Sequence, residues 1–427
     1  MTIAIVVFML LIGLMLFNVP IAISTAIAAF GGILITQDLP MTVLVQRMFV
    51  GIDTFTLIAV PLFILTGRMM ALGGITTDLI NLSKILVGYL RGGLAYINIV
   101  ASMFFAGITG SAASDSSSIG AILIPAMIEK GYEKDFTVAV TATSSTIGVM
   151  IPPSIPMVVY GVASGASIGK LFLGGFIPGV LTGFAQMAVV FLLARKRNYP
   201  VEVRIPLKDS IRIVLKGIPA LLTIIIILGG IISGIFTPTE AAGIAAFYSF
   251  LLGTLYYKEL KLKDIPGIIV EVATTTGMVA LMIATASSLG WLFANQGIPK
   301  IIGDAILSVT DNYFLILLLI NILLLFVGTW LDLSPAVIIF TPILLPIVQR
   351  LGMDAVHFGV IMVVNLAIGL FTPPVGVCLF ITCGIAQISI AETVKAFIPF
   401  FIAMVFVLLL ITYVPPLVMF LPNLLMR

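Results

Sequence analysis

Two stretches of this sequence place small residues, hydroxyls and prolines inside otherwise apolar runs. Residues 107–118 read Gly-Ile-Thr-Gly-Ser-Ala-Ala-Ser-Asp-Ser-Ser-Ser, and residues 151–154 read Ile-Pro-Pro-Ser. Successive prolines remove two backbone donors and disfavour helix in the residue before them, so nearby carbonyls lose their helical partners. Carbonyl and hydroxyl oxygens are the ligands that hard cations prefer. These stretches therefore predict a site for a small cation or a polar solute.

Each stretch also has a simpler structural interpretation. Small residues at 107–118 would suit close helix packing or an exposed loop, and a double proline would suit a kink. The second half of the chain favours the binding site, because breaks recur at 328–335 and at Thr-Pro-Pro-Val, residues 372–375. A constant offset of 221 residues aligns these pairs without a gap: Gly107 with Gly328, Pro125 with Pro346, Gly131 with Gly352, Gly148 with Gly369, and Pro152-Pro153 with Pro373-Pro374. We interpret the offset as an internal duplication.

Charged residues at the breaks are scarce enough to interpret one by one. Asp115 stands just before three serines and is interpreted as the cap of a returning helix. Ser334-Pro335 supplies a cap and a first-turn proline at the second break, which leaves Asp332 without that role. An acidic residue at membrane depth is a functional hypothesis by default, so we assign Asp332 to substrate or coupling-ion contact, against the alternative of an exposed loop aspartate. Arg68, near the end of an apolar run, is interpreted as a snorkelling anchor.

The composition places these motifs in a membrane. The chain has 427 residues, of which 61% are hydrophobic and 9% charged, whereas soluble domains carry roughly 45–50% apolar and about 25% charged residues. His357 is the only histidine, which excludes His-rich metal sites and most His-based catalysis. Cys378 and Cys383 share one apolar stretch, which disfavours a disulfide framework. The net charge of +3 is too small to indicate a nucleic-acid partner.

The breaks divide the apolar sequence into runs too short to cross a bilayer. Runs of 12–15 residues flank each break, whereas a spanning helix needs about 20. They predict an all-α polytopic protein in which each half holds a re-entrant helical hairpin (94–128 and 313–349) and a discontinuous helix (136–166 and 356–388). Broken helices in matching positions of two repeats point to the central binding site of a transporter.

A basic segment separates the two halves. Residues 195–216 carry seven basic and two acidic residues. Short loops rich in Lys and Arg remain in the cytoplasm. We therefore predict a first transmembrane repeat at 1–194, a cytoplasmic linker at 195–216 and a second repeat at 217–427. Both termini are periplasmic if each repeat crosses the membrane an odd number of times.

Two motifs carry a family resemblance that runs along the whole chain. GSAASDSSSIGAILIPAMIEKGY (110–132) and IPPSIPMVVYGVASGASIGKLFLGGFIPG (151–179) closely resemble the large membrane subunit of tripartite ATP-independent periplasmic (TRAP) transporters, most of all the sialic-acid type. The resemblance implies a sodium-coupled importer of an acidic organic solute in the bacterial inner membrane. It further implies inverted repeats of the elevator type, a soluble periplasmic binding protein and a small four-helix membrane subunit. Because the chain has no fused extension, that small subunit is expected to be separate.

The resemblance also implies which residues form the sites. Two or more sodium ions are expected, the first at Ser111, Ser144, Ser145, Thr146 and Gly148, and the second at Gly328, Asn365, Gly369 and Thr372. Ser111, Ser154 and Asp332 are expected to face the substrate. Since an anion would be repelled by Asp332, this carboxylate is expected to accept hydroxyl or amide hydrogens. That expectation favours sialic acid over a C4-dicarboxylate.

Three other functions remain open at this point. A stand-alone sodium- or proton-coupled anion carrier of the same superfamily would need no binding protein. An intramembrane hydrolase could use Ser111 or Ser167, the latter within a Gly-Ala-Ser-Ile-Gly elbow pattern, but no base is in evidence. A structural subunit without a pathway of its own would gain nothing from broken helices. ATP is not expected as the energy source, because Gly165–Lys170 is one residue short of a phosphate-binding loop and Leu171 replaces its Ser or Thr.

Overall fold

The computed structural model describes residues 2–17, 19–36, 40–201, 205–301, 304, 310 and 312–426. Over these residues the regular structure is helical, apart from one bridge between Arg91 and Val201. The α-helices have the following bounds: α1 Thr2–Leu16, α2 Ile21–Thr36, α3 Thr42–Ile52, α4 Ala59–Leu72, α5 Ile75–Val87, α6 Gly93–Thr109, α7 Ala112–Glu129, α8 Lys134–Ser145, α9 Ile155–Ser164, α10 Ile168–Lys196, α11 Leu207–Ile232, α12 Pro238–Leu251, α13 Ile265–Asn295, α14 Tyr313–Trp330, α15 Leu333–Arg350, α16 Ala355–Gly369, α17 Val377–Ala386, α18 Ile390–Tyr413 and α19 Pro416–Leu425.

Several helices are long and apolar enough to cross a bilayer. Within the part of the chain that the structure describes, seven helical segments meet this condition: Phe55–Leu72, Ile168–Lys196, Lys208–Ile232, Leu262–Asn295, Tyr313–Trp330, Leu333–Arg350 and Ile390–Tyr413. Many of their large apolar side chains face outward, among them Phe184, Phe326 and Phe406. In a bilayer that outer surface contacts lipid tails. The all-α polytopic fold expected from the composition is confirmed.

Helices α6 and α7 form the first hairpin, and the local sequence explains its sharp turn. Helix α6 ends at Gly110, which has a left-handed backbone (φ 62°) that glycine adopts without steric cost. Ser111 follows in an extended conformation, and its hydroxyl accepts a hydrogen bond from the Ser114 backbone N–H. The cap of the returning helix is therefore Ser111. The prediction that Asp115 caps this helix is wrong, because Asp115 lies a full turn inside it.

Helices α14 and α15 form the second hairpin, with only Leu331 and Asp332 between them. Helix α15 begins one residue before Ser334, so Asp332 occupies the N-cap position. The Asp332 side chain makes no capping hydrogen bond there. The prediction that Ser334 caps this helix is wrong, but the Asp332 carboxylate is still free of a capping role.

The two double prolines interrupt helices as predicted. After α8, a short 3-10 turn covers Thr146–Val149, and α9 restarts with Ser154 as its cap. The Ser154 hydroxyl donates to the Val149 carbonyl (2.6 Å) and accepts from the Met157 N–H (3.3 Å). In the second half, α16 ends at Gly369 and α17 restarts at Val377. Both hairpins and both discontinuous helices expected from the sequence are confirmed.

Helix α4 packs against the tip of the first hairpin. A Cβ atom added to Gly67 would lie 3.0 Å from the Thr109 Cα, so the backbones of α4 and α6 are in direct contact near the tip. Helix α4 also packs on α12 and α13. Residues on one face of α4 are therefore held at the same depth as the hairpin tip.

The base of the first hairpin is tied to the end of α10. Arg197 lies 2.7 Å from a carboxylate oxygen of Glu133 and 3.6 Å from Asp135, and the Tyr199 hydroxyl donates to Glu133. The Gly92 N–H donates to the Pro200 carbonyl (3.0 Å). This part of the predicted linker is therefore ordered against the hairpin. Its residues 202–204 lie outside the described residues, and its cytoplasmic location stays a prediction.

Candidate functional site

Two neighbouring cavities, each of about 280 Å³, share the first hairpin tip, and one of them reaches the second hairpin tip. Residues common to both walls are Ile64, Ser111, Ala113, Ile155 and Thr275. One cavity extends to Arg68, Thr109, Ser114 and Ser117, and the other extends to Asp332, Leu333, Ser334 and Cys378. Together the two cavities form one chamber, which is lined by both hairpin tips, α4 and α13. Its size suits a small solute.

The first break packs against the first hairpin tip. The Ile155 N–H donates to the Gly110 carbonyl (3.3 Å), and a Cβ on Gly148 would lie 3.4 Å from the Ser111 carbonyl oxygen. Ser144, Ser145 and Thr146 are fully buried where α8 ends. The structure therefore gathers the five residues expected for the first sodium site within one tip-and-break unit.

The hydroxyls of this unit keep free acceptor capacity. Ser145 donates to the Thr141 carbonyl (2.8 Å) and Thr146 donates to the Thr143 carbonyl (2.7 Å). A hydroxyl that donates its one hydrogen retains two lone pairs on oxygen. Lone pairs of this kind are suited to a hard cation, so these residues fit sodium.

The second break packs against the second hairpin even more closely. A Cβ on Gly369 would overlap the Gly328 backbone, so glycine at both positions allows direct backbone contact. The Val375 N–H donates to the Thr329 carbonyl (3.2 Å). The Thr372 hydroxyl donates to the Ile368 carbonyl (2.6 Å), which leaves the Thr372 oxygen as an acceptor.

Asn365 supplies the clearest fit to a cation in this second unit. Its amide nitrogen donates to the backbone oxygen (2.9 Å) and side-chain oxygen (2.8 Å) of Asn321. The Asn365 amide oxygen is buried and has no hydrogen-bond partner among the described residues. A buried polar atom without a partner needs an explanation, and a bound ion supplies one.

Each half contains one side-chain contact, similar in the two halves, that was not predicted from the sequence. The Ser144 hydroxyl donates to the Asn98 side-chain oxygen (3.2 Å), and Asn365, at the position that matches Ser144, contacts Asn321. Asn98 and Asn321 are asparagines in the apolar first helices of the two hairpins. That isolated polar residue in each run is the signal that could have revealed them.

Asp115 joins the same buried network in the first half. It is fully buried, and the Ser102 hydroxyl donates to one of its carboxylate oxygens (2.8 Å). Ser102 also lies 3.2 Å from the Ser144 hydroxyl oxygen. The carboxylate therefore links both helices of the first hairpin to the end of α8.

The three residues expected to face the substrate differ in position. Ser111 lines both cavities, and Asp332 is solvent-accessible in the wall of one. Ser154 is fully buried, does not line either cavity, and uses its hydroxyl within the first break. The structure brings Ser111 and Asp332 to the chamber and leaves substrate contact by Ser154 without geometric support.

The residues of a hydrolase are not assembled. The His357 Nε2 lies 2.9 Å from the Ile411 carbonyl oxygen within a buried contact. Ser167 caps α10 by accepting from the Lys170 N–H. Across the described part of the chain, no group of three or more His, Cys, Asp or Glu side chains is placed to hold a metal ion. Among the described residues, the site contains two interrupted helices around a chamber and no paired nucleophile and base.

Two hairpins whose tips meet two interrupted helices around one chamber define a membrane transporter. The family model for the "Tripartite ATP-independent periplasmic transporter, DctM component" matches residues 8–417. The chain belongs to this family, as a TRAP large membrane subunit. It is therefore a transporter and not an enzyme, and it is a multi-pass protein of the bacterial inner membrane.

Relatives carry several substrate names. The chain is 44% identical to the uncharacterised protein YgiK of Salmonella typhimurium over 95% of this chain and 94% of that protein. It is 46% identical to the isethionate permease DctMQ of Oleidesulfovibrio alaskensis, over 94% of this chain and 64% of that protein. It is 38% identical to the sialic acid large permease SiaM of Vibrio cholerae, over 97% of each chain. Other relatives are named for C4-dicarboxylate and for 2,3-diketo-L-gulonate.

A solved structure shares the fold. The YdaH transporter of Alcanivorax borkumensis superposes with a TM-score of 0.63 over 87% of this chain and 86% of that chain. The identity is 13%. At this identity the likeness concerns the fold alone.

Proposed function

We propose that this subunit is the sodium-coupled pathway of a tripartite importer for hydroxylated organic acids. The observation that carries the proposal is the repeated unit of hairpin tip and interrupted helix, twice present around one chamber. Sodium at the two breaks would order the tips, and the ordered tips would hold the solute. Import is then driven by the sodium gradient without ATP.

Sodium at the second break is supported by the unpartnered Asn365 amide oxygen and the acceptor lone pairs of Thr372. At the first break the support comes from Ser144, Ser145 and Thr146. Neutral oxygens suit a monovalent ion, since burying several carboxylates around a single charge would be costly.

The substrate class follows from the chamber and from the names of relatives. Sialic acid, isethionate and diketogulonate each combine one anionic group with hydroxyls, and Asp332 is suited to accept hydroxyl hydrogens. Sialic acid is our first candidate from the sequence, with isethionate beside it because that relative is 46% identical. A C4-dicarboxylate ranks below both, because a second carboxylate near Asp332 would be repelled.

The partners and the motion complete the proposal. A periplasmic binding protein delivers the solute, and a small membrane subunit supports the helices outside the hairpins. Relatives named DctMQ and SiaT are longer than this chain, which spans 64% and 67% of them. The hairpins and interrupted helices move as one body against the remaining helices, which is an elevator mechanism.

One reconstitution tests the function. The chain is placed in proteoliposomes with and without its small subunit and binding protein, and uptake of labelled sialic acid, isethionate and succinate is measured under a sodium gradient. We expect uptake of a hydroxylated acid only with all three proteins and only with sodium. Uptake without the binding protein would indicate a stand-alone carrier. No uptake of any probe with all three proteins would contradict the proposal.

A further inference from the structure

An ion pair stands in the chamber wall opposite the hairpin tip. Arg68 on α4 pairs with Glu271 on α13, and Arg68 lines the cavity that also contains Ser111 and Ser114. Packing fixes its depth, because its neighbour Gly67 contacts Thr109 at the end of α6. Among the residues that line the two cavities, Arg68 is the cation and Asp332 the anion.

The two helices present continuous faces to the chamber. Ile64, Gly67 and Arg68 lie three and four residues apart on α4, which places them on one side of that helix. On α13, Thr275 lines both cavities and Glu271 lies one turn before it. Arg68 therefore belongs to the chamber surface, and Glu271 adjoins it.

The pair leaves binding capacity unused. The side chains of Arg68 and Glu271 are 38% and 43% exposed, so neither is sealed in a packed core. A guanidinium carries five N–H donors, and one carboxylate takes two of them at most in a forked pair. The Ser114 hydroxyl, in the same cavity wall, is buried without a hydrogen-bond partner among the described residues. Arg68 and Ser114 thus bring unused donors to the same cavity, as a second oxyanion requires.

We propose that Arg68 binds the anionic group of the transported solute, a carboxylate or sulfonate, and that the solute competes with Glu271 for the guanidinium. The proposal rests on the proposed function. Ser114 and the first turn of α7 complete the anion site, since a helix N-terminus favours negative charge. Asp332 at the other end of the chamber accepts hydroxyl hydrogens. The solute is thus oriented by opposite charges at the two ends.

The competing role for the pair is a strut between α4 and α13. A strut depends equally on both partners, so removing either charge has the same effect, and removing both restores most of the loss. An anion site is asymmetric, because the solute contacts Arg68 and is repelled by Glu271. Single and double substitutions therefore separate the two roles.

The experiment uses the complete reconstituted transporter with labelled sialic acid and isethionate as probes. The variants are Arg68→Gln, Arg68→Lys, Glu271→Gln and the double variant Arg68→Gln/Glu271→Gln. Arg47→Gln is the matched control, because Arg47 stacks on Trp291 and does not line either cavity. KM, the maximal rate and the midpoint of thermal unfolding are measured for each protein.

We expect Arg68→Gln to raise KM at least ~10-fold, the effect of losing a charge-assisted hydrogen-bonded pair. Arg68→Lys should raise KM by less, since an ammonium keeps the charge without the fork. Glu271→Gln should leave KM unchanged or lower it, and the double variant should resemble Arg68→Gln. If Arg68→Gln does not reach the membrane, Arg68→Lys and Glu271→Gln still separate the two roles. An anion site predicts a raised KM for Arg68→Lys alone, whereas a strut predicts equal losses for both variants.

Two results would overturn the proposal. In the first, the two single glutamine variants lose activity and thermal stability equally, and the double variant recovers both. In the second, the Arg68 variants have the KM of the unsubstituted protein. Failure of the unsubstituted protein to transport any probe contradicts the proposed function itself, and is distinguished from these results because it needs no variant.

Discussion

At the scale of single residues, the second break depends on two glycines without a Cβ atom and on one amide oxygen without a hydrogen-bond partner. Gly369 and Gly328 have no Cβ, and this allows the interrupted helix and the hairpin to touch through their backbones. Asn365 sits one turn before Gly369 with its amide oxygen free. Close backbone contact and a free oxygen are the two features on which the proposed sodium position rests.

Gly369→Ala tests this contact. The new methyl group would overlap the Gly328 carbonyl and separate the hairpin from the break. We expect sodium-dependent uptake to fall by at least ~10-fold and stability to fall by about 1–3 kcal/mol, as for other overpacked sites. Gly384→Ala is the control, because no atom lies within 4 Å of its Cβ position. Equal uptake by the two variants would disprove the close-contact argument.

Asp332→Asn tests the residue given the most specific role from sequence. The neutral amide keeps the size of the side chain, but it replaces one acceptor oxygen by an NH2 donor and leaves the other oxygen uncharged. We expect KM for sialic acid to rise roughly 10-fold, as for loss of a hydrogen bond to a charged group. Asp209→Asn, exposed on α11, serves as the control. Unchanged uptake by Asp332→Asn would remove Asp332 from the site.

Glu133 provides a pH-dependent prediction outside the membrane. Burial raises the pKa of Glu133, but hydrogen bonds from Tyr199 and Arg197 outweigh burial and leave the pKa below its ordinary value. A lowered folded-state pKa contributes stability above the unfolded value of about 4.3, and this is lost as pH falls through the folded pKa. We therefore expect Glu133→Gln to lower the thermal midpoint at pH 7, and we expect the difference to shrink as pH falls below the unfolded pKa and to close below the lower folded pKa. Glu129→Gln, exposed at the end of α7, should show no such convergence.

At the scale of elements, each hairpin tip is joined to its own break by few backbone hydrogen bonds. The first tip makes a single backbone hydrogen bond to the break, from Ile155 to Gly110, and the second makes one from Val375 to Thr329. Helix α4 contacts the first tip through Gly67. The proposed motion would separate α4 from this tip while each tip stays with its own break.

A disulfide between α4 and the first hairpin tests that motion. A Cβ at position 67 would lie 3.3 Å from the Thr109 Cβ, close to the 3.5–4.5 Å of disulfides. In a Cys378→Ala/Cys383→Ala background, we expect Gly67→Cys/Thr109→Cys to lose uptake when oxidised and regain it with reductant. The single variant Gly67→Cys controls for the added bulk. Full uptake by the completely cross-linked protein would exclude movement of the first hairpin against α4.

At the scale of the whole molecule, the two halves repeat one architecture around a shared chamber. Each half contributes a hairpin, a break and an asparagine that links them, with Asn98 to Ser144 in one and Asn321 to Asn365 in the other. The charge that distinguishes the halves lies mostly in the linker at 195–216. That asymmetry determines the predicted orientation in the membrane.

The orientation is tested by labelling. Ser210→Cys, in the basic linker, should resist a membrane-impermeant maleimide in intact spheroplasts and react after permeabilisation. A cysteine added after Arg427 should react in both cases, since the termini are expected to be periplasmic. The native Cys378 and Cys383 are buried and give a low background. Labelling of Ser210→Cys in intact spheroplasts would reverse the orientation.

Prediction from sequence succeeded where the cause is local. Double prolines end helices through their own backbone chemistry, so the breaks at Pro152 and Pro373 were predictable. It failed at Asp115 and Ser334, where helix starts differ by a few residues and the capping residue changes. It also interpreted Arg68 as a snorkelling anchor and did not anticipate its place in the chamber wall, because its partner Glu271 is on a helix about 200 residues away.

The sequence by itself determined that this is an all-helical membrane protein with duplicated breaks, because apolar composition and proline placement act within short stretches of chain. It also determined the family, through motifs that span the first hairpin and first break. Only the tertiary structure decided which polar groups share the chamber. Packing brought Ser111, Arg68 and Asp332 to one surface and buried Ser154 away from it, since those positions depend on contacts between distant helices.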